Sequence, residues 1–295
     1  MAAIDAIVAV DLKAELLEGP VWDPNGRCLY FVDIMRGRVH RWLPGTDAPR
    51  TFEVGADVSS VGAVTLSETN DLILAARDGF ARLSPRTGAV TSIAPVEADR
   101  PNQRMNDGKC DPAGRFWAGT MALDETPDAG SLYRLDGDGR VHTMLGAVTI
   151  SNGIDWSNDA ETMYYIDSPT RKVDMFDFDL ASGAIANRRT LVRIPPQHGI
   201  PDGLTVDADG CVWVALWRGH AVHRYTPYGL LDTIVNVPTS CPTSCAFGGR
   251  DLRDLYITTA AMELSERERA EQPLAGGLFV CRPGPTGRPA NRFKG

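Results

Sequence analysis

No stretch of this 295-residue chain approaches the ~20 consecutive apolar residues of a membrane-spanning helix. Basic charge is also in short supply: 30 Lys and Arg stand against 38 Asp and Glu, a net charge of −8. That balance argues against nucleic acid, whose phosphates require a basic surface. Cysteine, six residues in all, is too sparse for a disulfide scaffold. Cys28, Cys110 and Cys211 lie in or beside apolar strand runs and read as buried thiols; Cys241 and Cys245 read as structural thiols rather than a redox pair. The first residues, Met-Ala-Ala-Ile-Asp, have no basic start and do not read as a secretory signal. The expectation is a cytoplasmic enzyme or binding protein without a nucleic-acid or membrane partner. Helix-favouring segments are scarce, and neither a Gly-rich phosphate loop nor a nucleophile elbow is present.

What the chain does have is turn chemistry arranged as a repeat. Glycine (29) and proline (20) punctuate short β-rich runs, and residues 130–142 read as two strands around a tight turn. Equivalent positions recur at Glu18, Val61, Asn106, Asn152, Asp202 and Ser244. Three of these units keep close register: Glu18 is followed by Asp23-Pro-Asn-Gly26, Asn106 by Asp111-Pro-Ala-Gly114, and Asp202 by Asp207-Ala-Asp-Gly210. A period of roughly 40–50 residues filled with strands is that of propeller blades. The chain therefore predicts an all-β fold, a six-bladed β-propeller of four-stranded blades around a central channel, as one domain over residues 1–295. A strand from Ile4 to Leu12 is expected to complete the last blade. The charged stretch Ser265 to Glu271 is expected as a short helix between two strands of that blade.

In such a ring the innermost strands line the channel, so Glu18, Asn106, Asn152 and Asp202 approach one point. Two carboxylates facing each other in a confined channel repel unless a cation lies between them. A set of oxygen donors suits a hard ion, Ca2+ first, with water or substrate completing its shell. Zn2+, Mn2+, Mg2+ and Fe2+ are the other candidates, although structural Zn2+ sites prefer the Cys and His that this set lacks. Taken singly, an Asn or Asp before Gly reads as a turn; four polar residues in register point to convergence. Val61 and Ser244 or Cys245 break the polar pattern and are expected to supply walls.

The segment Asn106-Asp-Gly-Lys-Cys-Asp-Pro-Ala-Gly-Arg-Phe-Trp-Ala-Gly-Thr-Met121, preceded by Arg104, resembles the regucalcin (senescence marker protein)/gluconolactonase family. So do Glu18-Gly-Pro-Val-Trp22, Ile150-Ser-Asn-Gly-Ile-Asp-Trp156, Ile200-Pro-Asp-Gly203 and Ala275-Gly-Gly-Leu-Phe279. The resemblance runs from about residue 10 to 280. It implies a six-bladed propeller that hydrolyses a sugar lactone with one divalent metal, held by Glu18, Asn152 and Asp202. It further implies substrate contacts from Arg104, from Asn106 at or just outside the metal, and from Asp124, where the family commonly has Glu. Asp202 is then the expected base. Two rivals stand beside this reading: a phosphotriesterase or fluorophosphatase-type hydrolase, and a non-catalytic calcium-binding regulator.

Several residues read more plainly. His198 reads as a loop histidine near the channel mouth, and His40, His142, His220 and His223 show no metal spacing. Asp107 reads equally as a neighbour of the metal shell or a turn partner. Ser59, Ser60, Trp217 and Arg218 are candidates to line the mouth.

Overall fold

The computed structural model describes residues 3–54 and 60–295; Ser59 lies outside them. Six antiparallel four-stranded units follow one another around a ring. Their innermost strands are Leu17–Asp23, Val61–Leu66, Gln103–Cys110, Ser151–Trp156, Ile200–Val206 and Pro242–Gly248. Six apolar clusters fill the gaps between neighbouring blades, so the core is distributed around the ring.

The repeat has a local cause. Asp111 is fully buried, and its carboxylate accepts from the backbone N–H of Ala113 (2.9 Å) and Arg115 (3.0 Å) and from Trp117 Nε1 (2.9 Å). Asp207 repeats this with Asp209 N, Cys211 N and Trp213 Nε1 (2.8 Å). One carboxylate thus closes the turn between the first two strands and anchors the indole that the second strand buries six residues later.

The ring closes differently from the expected single strand. Ile7–Val10 pairs antiparallel with Leu278–Cys281 and completes the sixth blade. Ala3–Asp5 instead runs parallel to Leu231–Asn236 at the rim of the fifth. Ala6 lies between them, buried in the cluster that joins these two blades, so the segment divides where it crosses the gap. The helix forms as Glu266–Glu271, capped reciprocally by Ser265 and Glu268. No helix among the described residues is long and apolar enough to cross a membrane. All six cysteines are free and buried, Cys241 and Cys245 among them.

Residues 286–294 cross the end of the channel where the inner strands finish, and they bond to every blade. The Thr286 carbonyl accepts from Ala208 N, Gly287 N donates to Leu252 O, and Arg288 donates to Trp156 O. Asn291 donates to Cys110 O, Phe293 N to Leu66 O, and Arg292 to Asp23. The site lies at the opposite end, where the inner strands begin.

Candidate metal and substrate site

Each inner strand breaks its pairing register at the equivalent point: between Glu18 and Val21, Val61 and Ala63, Met105 and Gly108, Ser151 and Ile154, Pro201 and Leu204, Pro242 and Ser244. These irregularities re-aim side chains towards the axis. The Asn–Gly and Asp–Gly pairs are therefore strand irregularities, not turns. The glycines serve close approach between blades. A Cβ on Gly153 would stand 2.7 Å from the Asp202 carbonyl oxygen, and one on Gly62 would press into the backbone of Met105 and Asn106.

Glu18, Arg104, Asn106, Asn152 and Asp202 are all buried, and all line one cavity of about 200 Å³. Arg104 donates to Asn106 Oδ1 (2.6 Å) and to the Met105 carbonyl (3.1 Å). Asn106 Nδ2 donates to Ser151 O (2.7 Å) and to Asn152 Oδ1 (3.0 Å). Asn152 Nδ2 donates to Ser168 Oγ (2.8 Å), which in turn donates to Pro201 O (2.7 Å). Both amides are thereby oriented, with the Asn152 oxygen turned towards Asn106 and a second lone pair left to it.

The two carboxylates supply the electrostatic signature. Burial first, then Asp202 and Asp107, push the Glu18 carboxyl well above its ordinary range. Burial first, then Asp107, do the same to Asp202. Burial draws Arg104 down to about 10 against the pull of Glu18, Asp202 and Glu125. Asp107 is itself pushed up to about 6, mainly by burial. It faces the two carboxylates from a second chamber beneath the site, so it is neither exposed nor part of the upper cavity lining.

Asp124 stands elsewhere. It is exposed, and its carboxylate accepts from Thr126 N and Thr126 Oγ1 (2.7 Å), which secures a turn. The next residue, Glu125, has φ 54° and lines the cavity. Trp217 lines the cavity as well, whereas Arg218 pairs with Glu268 at 2.7 Å. Ser60 is buried, and its carbonyl accepts from Arg77 N. The His198 ring packs edge-on against His223, outside the cavity lining. Ser168 and Glu125 have no place in the repeat, and no motif marks them.

The fold and this cavity define a six-bladed β-propeller with a buried, oxygen-rich site where its inner strands converge. A family model described as the SMP-30/Gluconolactonase/LRE-like region matches residues 16–261, and the chain belongs to that family. It is 38% identical over 280 residues to the putative sugar lactone lactonase YvrE of Bacillus subtilis, covering 95% of each chain. It is 40% identical over 285 residues to regucalcin of Xenopus laevis, covering 95% of this chain and 94% of the relative. Among solved structures, a calcium-binding protein, regucalcin, from Agrobacterium tumefaciens superposes with a TM-score of 0.94 at 26% identity over 99% of both chains.

Proposed function

We propose that the protein hydrolyses a sugar lactone to the corresponding aldonic acid, using a divalent cation held by Glu18, Asn152 and Asp202. The observation that carries this reading is that Glu18, Asn152 and Asp202, all buried, line one cavity, with burial and their neighbours pushing both carboxyls above their ordinary range. Arg104 lies near both groups and still leaves them raised, so ionising the pair calls for a further positive charge. The donors are all oxygen, which fits Ca2+, and they leave shell positions for water and substrate. A relative named as a calcium-binding protein supports the same choice of ion. Among the described residues no group of three or more His, Cys, Asp and Glu is placed to hold a metal, so the Asn152 amide is an integral part of the proposed set.

When bound, the cation polarises the lactone carbonyl and stabilises the negative charge that develops on its oxygen. Asp202 takes a proton from the attacking water and returns it to the ring oxygen as that bond breaks. Arg104 presents a planar fork of donors to the lactone and its hydroxyls. Asn106, fixed by Arg104, Ser151 and Asn152, orients the substrate or the attacking water. The cavity of about 200 Å³ falls below the ~300–1,000 Å³ usual for drug-sized ligands and suits a small molecule. Its charged lining, with Arg104 and Glu125, favours a hydroxylated sugar over an apolar organophosphate. Asp124, bonded within its own turn, remains part of the proposal as a substrate contact reached by movement of that turn.

The test is a panel of aldonolactones assayed on metal-stripped protein, with Ca2+, Mn2+, Mg2+, Zn2+ or Fe2+ restored singly. Turnover that needs one of these ions and vanishes in Asp202→Ala, with the fold retained, is the expected result. Undiminished turnover in that variant sinks the mechanism.

A further inference from the structure

We infer that Lys109 is a positioning residue that sets the spacing of the three inner strands carrying Asn106, Asn152 and Asp202. Its Nζ leaves the third blade and donates to Asp155 Oδ2 of the fourth (3.0 Å) and to the Leu204 carbonyl of the fifth (2.8 Å). Lys109 follows Asn106 by three residues, Asp155 follows Asn152 by three, and Leu204 follows Asp202 by two. One ammonium thus spans three strands directly beneath the site residues those strands present. The acceptor is itself fixed. Asp155 is 5% exposed, and its carboxylate also accepts from Trp156 N (2.8 Å), Val206 N (3.0 Å) and Arg288 (3.0 Å).

The geometry above needs such a setting. The contact between Asn106 Nδ2 and Asn152 Oδ1 joins the third blade to the fourth, and Ser168 to Pro201 joins the fourth to the fifth. Inner strands that approach closely enough to require Gly153 have no slack to correct a shift. Lys109 hydrogen-bonds to none of the proposed metal ligands; it ties the backbone beneath them, and its charge also holds down the buried Asp107 carboxyl. Arg288 is the natural control. It binds the same carboxylate, but from residues 286–294 at the far end, and its other partners are the carbonyls of Trp156, Ser157 and Val206.

Two readouts on Lys109→Met and Arg288→Met test this. The first is the side-chain amide NMR signals of Asn106 and Asn152 in cation-free protein. The second is Ca2+ affinity by calorimetry, which rests on the proposed function. Lys109→Met is expected to move both asparagine signals and weaken Ca2+ binding about 10–100-fold, the range seen when partners that orient metal ligands are removed. Arg288→Met should leave the signals in place and affinity within about twofold. Unmoved signals in Lys109→Met overturn the inference, and so does an equal displacement in Arg288→Met, which would mean that removing either cation from Asp155 suffices. If Lys109→Met does not fold, Asp155→Leu removes the acceptor from the other side at similar volume, and unmoved Asn152 signals there overturn it. A wild type that binds no cation removes the proposed function but leaves the amide test decisive.

Discussion

Asn106 Nδ2 donates a hydrogen bond to Asn152 Oδ1 at 3.0 Å, although 46 residues of chain separate them. That bond joins two blades at the level of the cavity and fixes which face of the Asn152 amide looks inward. It also explains why two neutral amides accompany two carboxylates: oxygen donors can be added to a buried anionic pair without further repulsion.

Replacing Asp202 with Asn should separate stability from activity. Removing one of two mutually repelling buried carboxylates relieves the folded state, so the cation-free variant is expected to unfold at a higher temperature than the wild type. Its kcat should fall about 10²-fold or more through loss of the proposed base and of a cation ligand. Calorimetry and lactone turnover on one preparation check both; an unchanged kcat contradicts the assignment.

Cation binding should raise stability by mass action. At a free Ca2+ concentration of 100 times its dissociation constant, the gain is about 2.7 kcal/mol. Denaturant titrations with and without the ion read it directly. Glu18→Gln should abolish most of the gain while leaving the ion-free stability equal or higher.

His40 and His223 give a pH dependence of known sign. Both are buried, and burial first, with Arg38 and Arg36 for His40 and His198 for His223, lowers each to about 4 from 6.5. At these two positions the unfolded chain therefore binds more protons than the folded one between these values. The stability that the two rings contribute is full above pH 6.5 and is lost as pH falls towards 4, by up to about 1.4 kcal/mol per pH unit for each ring. The raised carboxyls of Glu18, Asp202 and Asp107 act in the opposite direction in the cation-free protein. Unfolding free energies at pH 7, 5.5 and 4.5 measure the slope. His40→Gln, which can still bond to Thr51 Oγ1, should lower the slope by the contribution of one ring, and an unchanged slope contradicts the assignment.

Gly153→Ala tests the close approach of the blades. The added methyl meets the Asp202 carbonyl oxygen at 2.7 Å, inside van der Waals contact, and must push the fourth and fifth inner strands apart. Overpacking of this kind costs about 1–3 kcal/mol. The same shift should reduce cation affinity, because Asn152 and Asp202 move with those strands. A variant with wild-type stability and affinity would show that the approach is not needed.

Phe293 tests the strap across the far end. It is 2% exposed and packs into the cluster between the second and third blades. Phe293→Ala is expected to destabilise by about 3–5 kcal/mol with little change in KM, since the site lies at the other end.

Much of this was legible in the chain. The spacing of Glu18, Asn106, Asn152 and Asp202, with D-x-x-G turns behind three of them, is a local signal repeated at blade period, and it determined the propeller and the convergent polar set. The resemblance added Arg104, which the structure brings into the same cavity. What the sequence did not reveal depended on contacts between distant segments. The glycines after the key residues read as turn formers because local propensity cannot see a neighbouring strand. The resemblance gave Asp124 as a substrate contact; that its carboxylate bonds to Thr126 while Glu125 lines the cavity depends on a turn that the sequence alone does not show. Lys109 passed as an ordinary member of a motif until the ring placed Asp155 and Leu204 within its reach. The sequence by itself determined which residues repeat and hence which fold forms. The tertiary structure alone decided which of them touch, because closing the ring brings together strands that share no local interaction.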